Sequence, residues 1–174
     1  PSKFIYDKGG EYFDIWIKQN WYCYESVSMI TLSESQLQEK MIVDLDFFLN
    51  INSKIETRQI PCLILKSIPN SAISVSKGSL PLHELSLARN GSYSYQQKNY
   101  VLSELVFTMN NDTWTKSLPL VIDETNFNLP VDLELQIGNN PADFKAWHTA
   151  LNKYGLDLIE EERNVEMLIL SRKS

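Results

Sequence analysis

The strongest constraint on the fold is a short motif that occurs twice in the chain. The segments Arg58-Gln-Ile-Pro-Cys-Leu-Ile-Leu65 and Arg163-Asn-Val-Glu-Met-Leu-Ile-Leu170 share an arginine, an amide, a β-branched residue and a closing Leu-Ile-Leu, in that order. The two copies lie 105 positions apart, and a predicted helix precedes each. We therefore interpret the chain as two related halves.

Each copy of the motif is predicted to form the returning strand of a β-hairpin. In the first hairpin, residues 54–58 run out and residues 60–66 return. Pro61 in the returning strand lacks an amide donor, which suits an edge or a bulge. In the second hairpin, residues 156–160 run out, an acidic turn follows, and residues 165–170 return as a denser apolar strand. We expect the two hairpins to occupy equivalent places in the two halves.

Two helices have clear signals at their ends. Ser33 and Gln36 have the spacing of a capping box, in which the serine oxygen accepts from the third amide of the helix. Asn140 is predicted to cap the other helix, with Pro141 in its first turn and Gly155 at a left-handed exit. The two caps lie 107 positions apart, close to the spacing of the motif. The apolar faces consist of Leu37, Met41, Leu45 and Phe48 in the first helix and Phe144, Trp147, Leu151 and Tyr154 in the second.

These patterns predict an α+β fold with two tandem related halves, each roughly β-α-β-α-β-β, in which hairpin-rich mixed sheets pack against helices. The first half-repeat covers residues 1–68 and the second covers residues 92–174. Residues 69–91, with two prolines, two glycines and many serines, form the linker, and we expect the halves to make one compact unit. Further predicted elements are strands at 24–30, 73–75, 118–123 and 131–137 and a helix at 100–110, whose apolar face consists of Leu102, Leu105, Val106 and Met109.

Aromatic residues are concentrated near the start of the sequence. Residues 11–20 fit both helical spacing and strand alternation, so helix and strand both stay open there, with helix favoured. Such an aromatic cluster is more often the core of a small half-domain. The functional alternative is an interaction surface, because Trp and Tyr favour interfaces. The candidate surface residues are Trp16, Trp21, Tyr22 and Tyr24.

The charge balance limits the classes of partner. The 174 residues contain 16 Lys and Arg against 22 Asp and Glu, a formal net charge of −6, and the basic residues are scattered. A protein that binds a phosphate backbone needs a basic stripe, so we expect no nucleic-acid partner. No apolar run approaches the roughly 20 residues that span a bilayer, so we expect no membrane insertion of this segment. The start Pro1-Ser-Lys indicates a processed or excised chain.

Residues suited to catalysis or metal binding are few. His83 falls in the linker and His148 on the flank of a helix, and neither has an evident partner for general-base chemistry. Cys23 and Cys62 lie in strand-like segments; two buried free thiols are the preferred interpretation, and a disulfide between them is the alternative. The run Glu160-Glu161-Glu162 lacks the alternating ligands and glycine of a calcium loop. We therefore predict no catalytic residue, no metal and no cofactor.

Several stretches together resemble a known family. They are Pro119-Leu-Val-Ile-Asp-Glu-Thr-Asn-Phe-Asn-Leu-Pro-Val-Asp-Leu-Glu-Leu135, Tyr154-Gly-Leu-Asp-Leu158, the strand 165–170 and, in the first half, Ile55-Glu-Thr-Arg-Gln-Ile-Pro61. The chain from Trp21 to Leu170 resembles a bacterial domain family of unknown function that was first grouped as soil-associated proteins. It departs from the family pattern in its turn glycines and in one aromatic position. The departing residues are Asn126, Leu129 and Val131.

The resemblance implies a location and a motif, but no catalytic residues. Members of the family are exported bacterial proteins, or domains that lie C-terminal to envelope redoxins and membrane metallopeptidases. The halves are also similar to the short N-terminal domains of secretins and TonB-linked receptors. Asp123, Thr125 and Asp132 match the family phrase. They could form an acidic ligand site, but we favour a structural role in which such short side chains bond the backbone of their own turn.

The expected function is that of a non-catalytic, extracytoplasmic interaction or sensing domain of a bacterial envelope protein. Its partner would be an envelope protein or an attached domain that the sequence does not identify. The alternative is a small-molecule-binding module or a weak enzyme with a cleft between the two halves, where concave sites tend to form.

Overall fold

The computed structural model describes residues 23–173 as an α+β fold with three helices and two three-stranded sheets. One sheet has the strand order β4-β1-β6 and the other has the order β2-β3-β5. The described elements are α1 (Glu34–Phe48), β1 (Ile51–Ser67), β2 (Leu82–Leu87), β3 (Tyr93–Tyr100), α2 (Leu102–Asn111), β4 (Leu120–Asp123), β5 (Val131–Gly138), α3 (Phe144–Asn152) and β6 (Leu156–Arg172).

The chain divides into two compact units, and the long strands β1 and β6 contribute residues to both. The first unit contains Gln59–Asn164. The second unit contains, of the described residues, 23–58 and 165–173. The half-repeat boundaries expected from the sequence, 1–68 and 92–174 with a linker at 69–91, stay a prediction. Within that linker, residues Leu82–Leu87 form strand β2.

The first unit contains the whole of the hydrophobic core that the structure describes. Strands β2, β3 and β5 pair antiparallel, and β5 buries every second side chain from Val131 to Ile137, as a strand covered on one face does. Helix α3 packs on β5, and α2 packs on β4 and β2. The apolar faces predicted for these two helices supply Leu102, Leu105 and Met109 from α2 and Trp147 and Leu151 from α3.

The sheet β4-β1-β6 contributes to this core through the last part of β1. Residues Cys62–Leu65 are all buried, and they pair in parallel with β4 in the register Cys62 to Leu120 through Leu65 to Asp123. Four consecutive buried residues are typical of a strand that is covered on both faces. The same strand is exposed or half-buried from Ile51 to Arg58, where it belongs to the other unit.

The described helix and strands of the second unit are α1, the beginning of β1 and the end of β6. In this unit the amide of Lys173 donates to the carbonyl of Asn50 over 3.2 Å, and the Ser171 hydroxyl donates to the carbonyl of Asn52 over 3.3 Å. From one bonded pair to the next, the residue numbers rise along β1 and fall along β6, so the two strands run antiparallel here. None of the described residues of this unit is buried.

The two predicted hairpins are wrong, because β1 and β6 are each one continuous strand of 17 residues. The acidic turn predicted at residues 160–162 is also wrong, because these residues lie inside β6. Two of these carboxylates have partners: Glu161 pairs with Lys66 at 2.7 Å and also with Arg163, and Glu162 accepts from the side-chain amide of Gln59 at 2.7 Å. With partners beside them, these carboxylates remain in an extended strand whose side chains alternate in exposure.

The relation between the two halves is not confirmed. The matched segments lie in different environments: the Leu-Ile-Leu at positions 63–65 is fully buried, whereas Leu168 and Leu170 are 41% and 49% exposed. The first segment is part of the core of the first unit, and the second segment belongs to the second unit. A similar string of apolar residues is therefore used in two different ways.

Local helix signals agree better with the structure. The capping box at Ser33 is confirmed, since its hydroxyl accepts from the Gln36 amide and the Gln36 side chain accepts from the Ser33 amide. Helix α3 begins later than expected, and its N-cap is Asp143. Asn140 instead accepts from the amide of Ala142 in the preceding turn. The exit at Gly155 is left-handed as predicted, with φ of +76°.

Two of the predicted strands are wrong, and one predicted element lies outside the described residues. Residues 24–30 contain no strand, and around the predicted fragment 73–75 there is only an isolated bridge between Val75 and Val131. The open choice between helix and strand for residues 11–20 falls outside the described residues. The strands at Leu120–Asp123 and Val131–Gly138 are confirmed to within two residues.

Candidate functional site

Exposed apolar side chains are concentrated in the second unit, which provides under a third of the described residues. Among residues 23–173, this unit contains twelve of the nineteen exposed large hydrophobic residues. Soluble monomers expose scattered apolar residues, but they rarely expose large contiguous groups. The twelve residues are Val27, Met29, Ile30, Leu37, Met41, Val43, Phe47, Phe48, Leu49, Ile55, Leu168 and Leu170.

Helix α1 carries five of these residues and has a sixth, Leu49, at its C-terminal end, because its sequence is apolar around most of its circumference. Val43 and Phe47 lie one turn apart and are 67% and 77% exposed. Phe48 is 76% exposed, and its ring meets that of Phe47 edge to face with centroids 5.6 Å apart. The amphipathic face predicted from Leu37, Met41 and their neighbours is thus not a buried face in the described structure: no residue of α1 is buried.

Polar bonds fix α1 in its unit. The Tyr24 hydroxyl and the Lys40 ammonium both donate to Asp44 Oδ2, each over 2.7 Å. The bond from Lys40, then that from Tyr24, holds the pKa of Asp44 below its ordinary value. Asp46 accepts from the Ser53 hydroxyl and from the Ser53 amide, which join the end of the helix to β1 and lower the pKa of Asp46. The exposed aromatic residues therefore project from an anchored helix.

Only one of the four candidate surface residues predicted from the sequence is described. Tyr24 is half-buried and bonded to α1, next to the exposed apolar surface. Trp16, Trp21 and Tyr22 lie outside the described residues. The exposed residues of α1 were missed because the sequence analysis assigned the helix a buried face. The signal for them was the two adjacent aromatic residues Phe47 and Phe48, which cannot both point to one side of a helix.

The motif residues bond to the backbone of their own surroundings. Asp123 Oδ1 accepts from the Thr125 amide at 2.8 Å and from its hydroxyl at 2.6 Å, and the Thr125 hydroxyl accepts from the Phe127 amide. Asn126 within this turn has φ of +56°. Asp132 accepts from the Asn99 amide at 2.8 Å, and the Ser76 hydroxyl, followed by that amide, lowers the pKa of Asp132. This geometry is that of a turn held by short polar side chains.

His148 has a carboxylate partner that the sequence analysis missed. Its Nδ1 lies 2.9 Å from Asp157 Oδ1 and 3.0 Å from the carbonyl of Leu158, and its Nε2 lies 3.1 Å from the side-chain amide nitrogen of Asn152. Both neighbours of Nδ1 are acceptors, so Nδ1 carries the proton and Nε2 accepts from Asn152. The described partners of the imidazole include no hydroxyl or thiol. His83 lies on β2 with its ring against Tyr100.

The two cysteines are free, but they differ in exposure. Cys62 is buried, and burial raises the pKa of its thiol. Cys23 is exposed, which corrects the expectation that both thiols are buried. The described part of that segment has no strand that could bury Cys23.

A shallow polar groove lies on the β2-β3-β5 sheet of the first unit. The groove has a cavity volume of about 100 Å³. Clefts that hold drug-sized ligands have volumes of roughly 300–1,000 Å³. The groove is thus small for an organic ligand, and it is polar. Its lining residues include Glu84, Ser86, Ser94, Gln96, Glu134 and Gln136.

Residues 23–173 contain no group of three or more His, Cys, Asp and Glu side chains placed to hold a metal ion. Of the helices described above, none is long and apolar enough to cross a bilayer. No protein-family model, curated protein or solved structure matches this chain.

Proposed function

We propose that this chain is a non-catalytic interaction domain whose second unit binds a protein partner through its exposed apolar surface. The observation that carries the proposal is that no described residue of this unit is buried, although twelve large apolar side chains lie on its surface. A surface of this kind loses unfavourable contact with water when a partner covers it, at about 25 cal/mol for each Å² of apolar area.

The secondary structure of this unit supports the same conclusion. An isolated two-stranded ribbon is marginally stable in water, and a helix of 15 residues is marginal without tertiary packing. In the described residues, the ribbon and α1 have polar bonds but no buried core. A partner that covers the apolar residues would therefore stabilise the unit as it binds.

The proposal extends to the setting. The resemblance to exported bacterial domains supports an extracytoplasmic location, in which the partner is another envelope protein or an attached domain. A non-catalytic role is supported by the contacts of His148, which go to a carboxylate, a carbonyl and an amide. A nucleophilic centre would need a hydroxyl or thiol in reach of such a base.

A site-specific crosslink tests the proposal. A photoreactive phenylalanine analogue is placed at Phe47, 77% exposed on α1, and in a matched variant at Phe107, 60% exposed on α2 of the first unit. Both variants are expressed in the cells that naturally produce the chain, and then illuminated. We expect a discrete crosslinked band from position 47 that position 107 does not give.

A second variant separates contact from folding. Val43→Ser removes an exposed apolar side chain one turn before Phe47 and should change the free energy of unfolding by no more than about 0.5 kcal/mol. The same substitution should weaken the crosslink from position 47. Identical band patterns from positions 47 and 107, or a crosslink that Val43→Ser leaves unchanged, would overturn the proposed function.

A further inference from the structure

We infer that a second copy of this chain pairs with the free edge of β6, antiparallel and about a two-fold axis at Ile169. This inference rests on the proposed function, because it names one partner of the second unit. Among the described strands, β6 is bonded to β1 and stands at the edge of its sheet. An exposed edge with apolar side chains is a template for pairing with another strand.

The backbone bonds of β6 show which residues face the free edge. In an antiparallel strand the N–H and C=O of one residue point to the same neighbour, and those of the next residue point the other way. The Lys173 amide donates to Asn50 of β1, so the odd-numbered residues of this stretch bond toward β1. The even-numbered residues therefore present their N–H and C=O groups to the open edge. These residues are Glu166, Leu168, Leu170 and Arg172.

Side-chain exposure follows the same alternation. From Val165 to Leu170 the odd-numbered side chains are half-buried and the even-numbered ones are exposed, and Ser171 and Arg172 are both exposed. The exposed set is short and symmetric in character: an acid, two leucines and a base. Leu168 and Leu170 are 41% and 49% exposed.

The two-fold axis at Ile169 makes this set complementary to itself. The residue numbers of each facing pair then add to the same sum, so Leu168 of one copy faces Leu170 of the other, and Glu166 faces Arg172. Each of these pairs joins two residues that bond toward the open edge, as a hydrogen-bonded antiparallel pair requires. Because of the symmetry, each contact occurs twice. Four leucines lie at the centre, and an acid–base pair flanks them on each side.

Other registers lack this match. An axis at Leu168 places Glu166 opposite Leu170, and an axis at Leu170 places Leu168 opposite Arg172, so a charge faces an apolar side chain. Opposite charges across a strand pair are favourable, and apolar pairs gain from burial. The occupant that fits this edge is thus the same strand from another copy, and the product is a sheet that continues from one chain into the next.

Cysteine crosslinking tests the register. In the background Cys23→Ser, which removes the exposed thiol, Ile169→Cys places one thiol of each copy beside the axis. Residues opposite each other at a non-hydrogen-bonded position have Cα atoms roughly 4.5 Å apart, within the range for a disulfide. Leu168→Cys is the matched control, since its two copies are diagonal neighbours at roughly 7–8 Å, too far for a strain-free bond.

Under mild oxidation we expect a covalent dimer from Ile169→Cys and little from Leu168→Cys. A general tendency to collide would give the opposite order, because Leu168 is the more exposed residue. Equal crosslinking of both variants, or crosslinking of Leu168→Cys alone, would refute the register.

Charge exchange gives an independent readout by sedimentation equilibrium. Glu166→Arg places like charges opposite each other at two positions, and should raise the dimer dissociation constant roughly tenfold. Arg172→Glu should do the same. The double variant Glu166→Arg/Arg172→Glu restores opposite charges and should return the constant to near that of the natural chain. A chain that is monomeric throughout the concentration series, or a double variant that is weaker than both singles, would overturn the inference.

The two proposals can fail separately. A chain that does not dimerise but gives a Phe47 crosslink to another protein retains the proposed function and loses only the pairing at β6. A chain that forms the Ile169 dimer without any specific crosslink from Phe47 keeps the pairing, and the apolar surface of α1 then has no partner.

Discussion

The indole of Trp147 donates a hydrogen bond to the carbonyl of Pro141, with 2.8 Å between the two atoms. Trp147 is fully buried in the core of the first unit, with its ring centroid 6.0 Å from that of Tyr95. Pro141 lies in the turn before α3 and is also buried. The Trp147 side chain therefore fills part of the core and also donates to a buried carbonyl that no helical hydrogen bond satisfies.

Truncation of this side chain should be costly. We expect Trp147→Ala to lower the free energy of unfolding by about 3–5 kcal/mol, the range for a large buried aromatic residue. Trp147→Phe keeps most of the apolar volume but leaves the Pro141 carbonyl without its donor, and should cost about 1–3 kcal/mol. Urea titrations followed by circular dichroism would measure both. A loss below about 1 kcal/mol for Trp147→Ala would contradict the buried position.

The features predicted correctly from the sequence depend on interactions that are local in the chain. The capping box of Ser33 and Gln36 spans four residues, and the left-handed exit at Gly155 depends on the absence of a side chain at one position. The buried stripe of α2 follows from helical spacing alone. These signals can be read from the sequence because the interacting residues lie within one helical turn of each other.

The features that were missed depend on partners far away in the chain. Glu161 is compatible with a strand because Lys66, 95 residues earlier, lies 2.7 Å from it. The sequence could not show that Cys62 is buried and Leu168 is exposed, since both residues belong to similar apolar segments. His148 and Asp157 are near in sequence, but α3 ends and β6 begins between them, so spacing alone did not predict their contact.

The two thiols should differ in reactivity. Cys23 is exposed and should react with a thiol reagent such as Ellman's reagent as fast as a free peptide thiol does. Cys62 is buried and its thiol pKa is raised by burial, so it should react only when the first unit opens. Labelling of the Cys23→Ser variant in native buffer and in denaturant would measure the difference. Fast native labelling of Cys62 would contradict its burial.

Acid should destabilise the ion cluster at Arg163. Its guanidinium bonds Glu124 at 2.6 Å and Glu161 at 2.5 Å. The bond from Arg163 holds the pKa of Glu124 below the ordinary value of 4.5, and the bond from Lys66, followed by that from Arg163, does the same for the pKa of Glu161. A carboxyl with a lowered folded-state pKa stabilises the fold above its unfolded pKa and loses that contribution as pH falls through the folded pKa. Stability should therefore fall as the pH drops below about 4.5.

The variant Arg163→Met identifies the source of this pH dependence. We expect it to be less stable than the natural chain near neutral pH, and to lose less stability on acidification, since its carboxyls have lost one cation. Arg58→Met is the matched control at the corresponding motif position, where the side chain is 50% exposed and pairs with Glu56. Because exposed pairs contribute little, it should alter the pH profile less. Equal effects of both substitutions in urea melts at several pH values would contradict the assignment.

The final prediction concerns the close approach at Gly155. This residue has φ of +76°, and a Cβ added to it would lie 2.7 Å from Ser71 Oγ and 3.2 Å from the carbonyl oxygen of Ala72. The same loop is tied to the glycine by a bond from the Ile68 amide to the Gly155 carbonyl at 2.9 Å. Gly155→Ala should therefore combine a left-handed alanine, at about 1–2 kcal/mol, with overpacking of about 1–3 kcal/mol.

Gly138→Ala separates these two contributions. Gly138 has φ of +80°, but nothing lies within 4 Å of an added Cβ, so only the backbone cost of about 1–2 kcal/mol applies. Ser71→Ala combined with Gly155→Ala removes the closest contact and should recover part of the loss, while the carbonyl of Ala72 remains in place. Equilibrium unfolding of the three variants tests this order. If Gly155→Ala costs no more than Gly138→Ala, the loop around Ser71 moves away freely, and the left-handed backbone alone accounts for the glycine.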